Sequence, residues 1–468
     1  MGKIACIICN YNKYEFAVKC VKSLLEQTMT GIDIFVVDNA STDGSVEILR
    51  ERYGRQITVI ANKENLGGSG GFNTGLRLVL NEDIYQYVVL IDNDVFLEKS
   101  AIQKLYDYME SHRDVGILGP KILQMAYPDT VQDLGGSITE NYRMHGNYNG
   151  MKDFQLPEEL DCAYISTCTA MARIDAVKQF GLMPEENFIY WDDVEWSKKC
   201  QLAGYRTVAI SSASVWHNHS IIEHPSGFTK YYLTRNMLHF FAKYMQDSEV
   251  HLFVEHMLSE IFALLYGYYN KGMDELLQAT MFAFDDFIHL NFGKADDEKI
   301  MLIQDRLIPF ERVIIDKDKI EIGMIDNFRP KDELDIFHIL LYVIGKIQKK
   351  TPRKKIWVSL QGCGYSEKEF FAKWQRTVEV AHPSFFVPEI IVSGDKWEFD
   401  LRMQLCQHVR LVSTPVLPVV YVDQYCNCIT SEQDYAYFTG YETNEAFFKG
   451  IYRPLMERSV RKIREQMK

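Results

Sequence analysis

The chain has 468 residues, 47% of them hydrophobic and 25% charged, with a formal net charge of −13. That is the make-up of a folded protein with room for two or three domains, and its acidity argues against duplex nucleic acid as a partner. An anionic substrate is still compatible if a metal ion bridges it to carboxylates.

The opening Met1-Gly-Lys-Ile-Ala-Cys runs straight into a strand pattern, without a secretory signal. The strongest apolar run, Ile261 to Tyr269, is too short to span a bilayer and reads as a buried helix. The cysteines are scattered, with no zinc-type pair of pairs. These features predict a cytoplasmic protein with reduced thiols.

Short apolar runs at Ile4–Cys9, Ile32–Asp38, Ile57–Ala61 and Tyr87–Asp92 read as strands rich in Ile and Val. Helical patterns at 15–27, 44–53 and 71–81 lie between them. Such alternation predicts a mostly parallel α/β sheet flanked by helices, whose ligands sit beyond the carboxyl ends of the strands. Three strand ends carry polar clusters: Asn10-Tyr11-Asn12, Asp38-Asn39-Ala40-Ser41 and Asp92-Asn93-Asp94. Helices are expected near 101–113 and 193–203, and a helical, aromatic-rich stretch from Thr229 to Phe292. Further strands at 355–360 and 416–422 and a helical tail from Ala446 predict a second α/β unit. The expected division is 1–245, a helical connector over 246–295, and a smaller carboxyl-terminal domain over 296–468.

Asp92 and Asp94 stand at i and i+2 on the tip of an apolar strand, where both carboxylates can turn toward one hard cation. Without such a cation they would only end a strand and start a turn. Val215-Trp216-His217-Asn218-His219 adds imidazoles after another apolar run, and a neutral histidine beside carboxylates favours manganese over magnesium. In Tyr190-Trp191-Asp192-Asp193-Val194-Glu195, paired carboxylates open a helix beside aromatics. Helix capping accounts for Asp192 and leaves Asp193 as the base for an acceptor hydroxyl.

The glycine-dense run from Asn65 through Gly70, Gly71 and Asn73 offers backbone amides and a helix start to a phosphate, or else forms a tight turn into a helix. It lacks the ending of a P-loop. Tyr231, Tyr232, Arg235 and Asn236 share a helical face, with Arg235 either meeting a phosphate or acceptor, or forming a buried aromatic contact.

The order of these motifs resembles family 2 glycosyltransferases of the GT-A (Rossmann-like) fold over about residues 1–245. The resemblance implies an inverting transfer of a sugar from a nucleotide diphosphate donor to a glycan or lipid-linked acceptor. Tyr11 and Asp38 would line the base and ribose pocket. Asn65, Gly70, Gly71, Asn73, Asp92 and Asn93 would belong to the donor site. Asp92, Asp94 and His217 would hold Mn2+ or Mg2+, and Asp193 matches the catalytic base. Trp191, Asp192, Tyr232, Arg235 and Asn236 would contact acceptor or donor. The glycine run looks most like the galactofuranosyltransferase branch, which implies UDP-galactofuranose and bacterial surface polysaccharide synthesis. Rhamnosyltransferases using a dTDP-linked donor are the near alternative, and a non-catalytic sugar-nucleotide-binding module is the alternative of another class.

Basic residues cluster at Lys346–Lys355 and along the tail (Lys449, Arg453, Arg458, Arg461, Lys462, Arg464), where Ile451, Leu455, Val460 and Ile463 alternate with them. A basic amphipathic tail suits anionic lipid at the inner face of the membrane, or packs its apolar stripe on the domain or on a second subunit as a homo-oligomer.

Overall fold

The computed structural model describes residues 3–218, 226–303, 308–324, 336–351, 355–361, 364–380, 390–394, 398–406, 409, 412, 415, 418–423 and 426–467. His219, Arg353, Lys354 and part of the expected strand at 416–422 lie outside them.

The described residues pack as two units, the first comprising 1–247, 282–300 and 459–468 and the second 248–281 and 301–458. In the first unit β1 (Lys3–Asn10), α1 (Tyr14–Leu25), β2 (Ile32–Asp38), α2 (Ser45–Tyr53), β3 (Thr58–Ala61), α3 (Gly67–Asn81) and β4 (Tyr85–Asp92) alternate as expected. Then come β5 (Val95–Leu97), α4 (Ala101–Ser111), β6 (Val115–Gln124), β7 (Val131–Asp133), β8 (Gly136–Ile138), β9 (Met144–Gly146) and β10 (Glu159–Asp161). β11 (Thr169–Arg173), α5 (Ile174–Phe180), α6 (Asp192–Leu202), β12 (Arg206–His217) and α7 (Gly227–Tyr244) follow.

The main sheet runs β10-β12-β6-β11-β4-β1-β2-β3, with β5 beside β12 and β7 beside β6. β4, β1, β2 and β3 are parallel neighbours, and β11 enters antiparallel between β4 and β6. Ile4 through Ile8 are completely buried because both faces of β1 are covered, as a central parallel strand requires. Helix α1 buries Ala17, Cys20, Val21 and Leu24, a stripe at the helical period.

Register aligns the polar strand ends. Asn10 is paired with Asp38 and Cys9 with Asp92, so the tips of β1, β2 and β4 form one polar rim at the carboxyl edge of the sheet.

The glycine run is not a loop. Helix α3 begins at Gly67, four residues before the expected start, and its glycines allow close packing. A Cβ on Gly75 would lie 2.6 Å from Ile7 Cγ2 and one on Gly70 2.5 Å from Leu66 Cβ, while Gly71 faces the Cys9 sulfur and Gly67 the Phe188 carbonyl.

The second unit contains α8 (Val250–Asn270), much of α9 (Asp274–His289), α10 (Pro309–Ile314), β13 (Lys319–Gly323), α11 (Ile336–Lys350), β14 (Lys355–Ser359), α12 (Glu367–Val380) and β15 (Ile390–Val392). β16 (Leu401–Leu405), β17 (Val420–Val422), β18 (Cys428–Ile429), α13 (Glu432–Thr439) and most of α14 (Tyr441–Gln466) complete it. Its sheet, β15-β14-β13-β16-β17-β18, is parallel except for β18, around a core that includes Ile320, Ile322, Phe337, Leu340, Ile356 and Val358. The expected α/β segment is therefore present, with its tail helix starting five residues earlier than the sequence pattern suggests.

Ile261 to Tyr269 is helical, but only Ile261 in it is fully buried, and Ala263 and Tyr269 are exposed. The run satisfies α8 along one stripe instead of on all sides. No helix among the described residues is long and apolar enough to cross a membrane. Val460 and Ile463 of the tail are buried, the Ser459 hydroxyl donates to the Ile288 carbonyl at 2.6 Å, and Arg464 pairs with Asp247. That end of the apolar stripe is thus already covered by protein.

Candidate functional site

Asn10, completely buried, organises the rim. Its amide nitrogen donates to Asp38 Oδ2 at 2.9 Å, and its oxygen accepts from Asn93 Nδ2 at 2.7 Å. Asp38 also accepts the Ser41 backbone N–H at 2.9 Å. The β1, β2 and β4 tips are therefore cross-linked by one buried amide–carboxylate and one buried amide–amide bond, which hold their orientation because neither can be released without leaving an unsatisfied buried group. Tyr11 projects from this rim 46% exposed, leaving its ring available to a ligand. The next residue, Asn12, adopts a left-handed backbone (φ 50°), and its side-chain oxygen accepts the Thr42 N–H at 2.7 Å.

The tip of β4 meets the end of β12. Ligand atoms of Asp92, Asp94 and His217 all lie within 4.8 Å of one another. His217 Nε2 is 3.3 Å from Asp94 Oδ1, and Lys13 Nζ is 2.8 Å from Asp94 Oδ2. The chain is locked here by Asp92 N–H donating to the Cys168 carbonyl at 3.0 Å and Asn218 N–H to the Asp94 carbonyl at 3.1 Å. Two carboxylates and one imidazole converging from different strands suit a divalent cation with mixed oxygen and nitrogen preference. Burial opposes ionisation of Asp94, but hydrogen bonds from His217 and Lys13 hold its acid down at about 2. Asp92 lacks such bonds, and burial pushes its acid up to about 7. The His217 ring is raised by Asp94 and Asp92 against the opposing effect of burial.

Helix α6 supplies the second carboxylate pair. Trp191, not Asp192, takes the cap position, in left-handed conformation (φ 63°), and Asp192 is the first helical residue. The Asp192 carboxylate is buried and accepts from Ser69 Oγ at 2.9 Å across from α3. Asp193 is half-buried, and one of its oxygens accepts the Val194 N–H at 2.8 Å. Burial, and next the adjacent Asp192 charge, raise the Asp193 acid, with Asp133 and Asp92 adding to the effect. A carboxylate raised in this way is a stronger base for a hydroxyl proton.

Several expected contact residues are bonded to neighbouring segments of the protein. Asn73 is buried and bonds the Met183 backbone through both its amide atoms, at 2.9 and 3.0 Å. Asn65 accepts the Gly67 N–H at 2.9 Å and bonds Asn39. The Ser69 N–H donates to the Phe188 carbonyl at 3.3 Å, so part of the α3 amino end is turned toward protein. Arg235 and Asn236 are buried on α7. The Arg235 guanidinium donates to Tyr231 Oη at 3.2 Å and to the Asn187 carbonyl at 3.3 Å, and its central carbon lies 5.2 and 5.0 Å from the ring centres of Tyr231 and Tyr232. Asn236 donates to the carbonyls of Asn187, Ile189 and Tyr190. Tyr232 stacks on Phe188 at 5.3 Å, and Trp191 packs against Phe240 and Phe241.

These contacts explain a strained turn. Phe188, Tyr190 and Trp191 all have positive φ, costing about 1–2 kcal/mol each for side chains of this size. The turn aims α6, and with it Asp193.

Sequence reasoning did not single out Lys13, Ser69, Gln132 or Asp133 as site residues. Gln132 Oε1 is 3.0 Å from His217 Nδ1. Asp133 is buried with Oδ1 lacking a hydrogen-bond partner, and burial pushes its acid up to about 7. Lys13 directly follows the Asn10-Tyr11-Asn12 tip, a signal that was visible. Ser69 lies inside the marked glycine run, whereas Gln132 and Asp133 come from a segment with no local mark.

Residues 5–180 match the family model described as glycosyl transferase family 2. An uncharacterised glycosyltransferase of Haemophilus influenzae is 24% identical over 207 residues, 42% of this chain and 60% of the relative. The galactofuranosyltransferase GlfT2 of Mycobacterium tuberculosis is 24% identical over 182 residues, 36% of this chain and 28% of the relative. The chain thus spans less than two thirds of either. A crystal structure of GalNAc-T7 with UDP, GalNAc and Mn2+ aligns with TM-score 0.47 at 12% identity, covering 55% of this chain and 51% of that one.

Proposed function

We propose that the protein, whose residues 5–180 match the family 2 glycosyl transferase model, transfers a sugar from a nucleotide diphosphate donor to a hydroxyl of a glycan acceptor, with inversion at the transferred carbon. The observation that carries this reading is the convergence of Asp92, Asp94 and His217 at the carboxyl edge of the sheet, with Asp193 near enough for the Asp92 charge to raise its acid.

Asp92, Asp94 and His217 would hold a divalent metal. Such an ion, when bound, neutralises the two phosphates and stabilises the departing diphosphate. Asp38, at the adjoining strand tip, would meet the ribose hydroxyls, and the exposed Tyr11 ring the base face. Lys13, beside Asp94, adds a fixed positive charge to the phosphate side. Asp193 takes the proton of the acceptor hydroxyl as its oxygen attacks the sugar carbon from the side opposite the diphosphate. A single displacement of this kind inverts that carbon. Asp192 is held in place by Ser69 next to Asp193.

Galactofuranose is the donor sugar proposed, on the glycine-rich pattern from Asn65 to Gly75 and the similarity to the mycobacterial galactofuranosyltransferase. Calorimetry with UDP-galactofuranose, UDP-galactopyranose and dTDP-rhamnose, with Mn2+ and with chelator, tests the assignment. Furanose preference lost on chelation is expected. Preference for dTDP-rhamnose would replace the donor and leave the mechanism, and absence of binding to all three would remove the transferase reading.

A further inference from the structure

We infer that Gln132 is a positioning residue for the metal site, holding His217 in the one tautomer that leaves Nε2 able to ligate a cation. The inference rests on the metal reading above and adds a residue to it.

A neutral imidazole carries one proton, and only the nitrogen without it can bind a metal. Which nitrogen that is depends on the partner of the other one. Here the partner is the Gln132 side chain, with Oε1 3.0 Å from His217 Nδ1. An amide oxygen only accepts, so the proton belongs on Nδ1. Nε2 is then the ligating atom, and it is the nitrogen that faces the carboxylates, 3.3 Å from Asp94 Oδ1.

Gln132 is itself fixed. It is the middle residue of β7, which pairs along β6. The neighbouring strand end is closed by Gln124 N–H donating to the Thr130 carbonyl at 2.9 Å. The Gln132 carbonyl accepts from Asn149 Nδ2 at 2.7 Å. On the other side, His217 is paired with Gln124 on β6, and Met125 N–H donates to the His217 carbonyl at 2.9 Å. Both ends of the Gln132–His217 bond are therefore mounted on β6, which presents the two side chains to each other from fixed backbones. Partners behind a ligating histidine are commonly worth about ten- to a hundredfold in metal affinity.

The test is Mn2+ binding to the full chain, read from the spin-resonance signal of free Mn2+, for wild type, Gln132→Leu, Gln132→Asn, Gln132→Glu and His217→Ala. Leucine removes the acceptor and asparagine falls one methylene short, so both should weaken Mn2+ about ten- to a hundredfold. Glutamate keeps an acceptor at the same reach and should stay within a few-fold of wild type. Equal affinity of wild type and the leucine or asparagine variants overturns the inference alone, as does a glutamate variant no better than leucine. Nitrogen-15 spectra placing the neutral His217 proton on Nε2 also overturn it. Wild type that takes up no Mn2+, or His217→Ala that binds as well as wild type, overturns the metal reading and this inference with it.

Discussion

Asn236 donates its side-chain amide to the Ile189 carbonyl at 2.8 Å, which ties α7 to the turn that launches Asp192 and Asp193. The same nitrogen reaches the carbonyls of Asn187 and Tyr190, at 2.8 and 3.0 Å. One buried side chain thus holds three carbonyls, at positions 187, 189 and 190, of a turn with unfavourable backbone angles. Asn236→Ala should lower stability by about 2–3 kcal/mol, since buried carbonyls lose their donor. Turnover should fall as well, because the strained turn is no longer over-determined. A melting temperature unchanged from wild type would contradict this role.

Arg235 acts on the same turn through its planar fork and its contact with the rings of Tyr231 and Tyr232. Lysine has the charge but neither the fork nor the flat stacking surface. Arg235→Lys is expected to destabilise the protein and reduce kcat while donor affinity is retained. Loss of donor affinity alone, with stability intact, would instead make Arg235 a ligand contact.

Gly67 has φ 73°, and a side chain there would run into the Phe188 carbonyl, whereas Gly150, at φ 77°, has nothing within 4 Å. Alanine at 150 should cost only the backbone penalty, about 1 kcal/mol. Alanine at 67 should cost about 1–3 kcal/mol more, from overpacking. Equal losses, measured by denaturant unfolding, would remove the close approach of α3 to the Phe188 turn as the reason for this glycine.

Asp193→Asn should cut transfer by about 10²–10⁴-fold and spare donor binding. In wild type the base must be ionised, so the rate should rise with pH through its raised pKa. Stability runs the other way. A carboxyl whose folded pKa lies above its unfolded one takes up more protons when folded, so stability falls as pH climbs from the unfolded toward the folded value. The asparagine variant should therefore melt higher than wild type at pH 8 and equally at pH 3. A lower melting temperature at pH 8 would show that the carboxylate is stabilised there, not strained.

With the Asp92 acid pushed up to about 7 and the Asp94 acid at about 2, protons compete with a metal at Asp92 but not at Asp94 near neutrality. Mn2+ affinity should therefore drop about tenfold per pH unit below that value, or faster if His217 also protonates. Asp94→Asn should weaken binding at every pH. Affinity that is flat between pH 5 and 8 would show that Asp92 is already ionised throughout that range.

The alternation of Ile- and Val-rich runs with amphipathic stretches was enough to read the parallel sheet, because two-sided burial leaves continuous apolar strands. The polar tips Asn10, Asp38 and Asp92 were legible for the same reason, each being the point where an apolar run stops. The glycine run was misplaced as a loop. Glycine favours a turn when only local conformation is weighed, but here it serves the contact of α3 with Ile7, Cys9 and Phe188.

The sequence by itself determined which residue types stand at the strand ends and at the start of α6, since hydrophobic period and turn chemistry are local properties. Only the tertiary structure decided that Arg235 and Asn236 face the 186–190 turn, that Ser69 faces Asp192, and that Gln132 stands behind His217. Those are contacts between residues 46 to 123 positions apart. Hydrogen bonds of that kind depend on strand register and helix packing, and no local pattern encodes them.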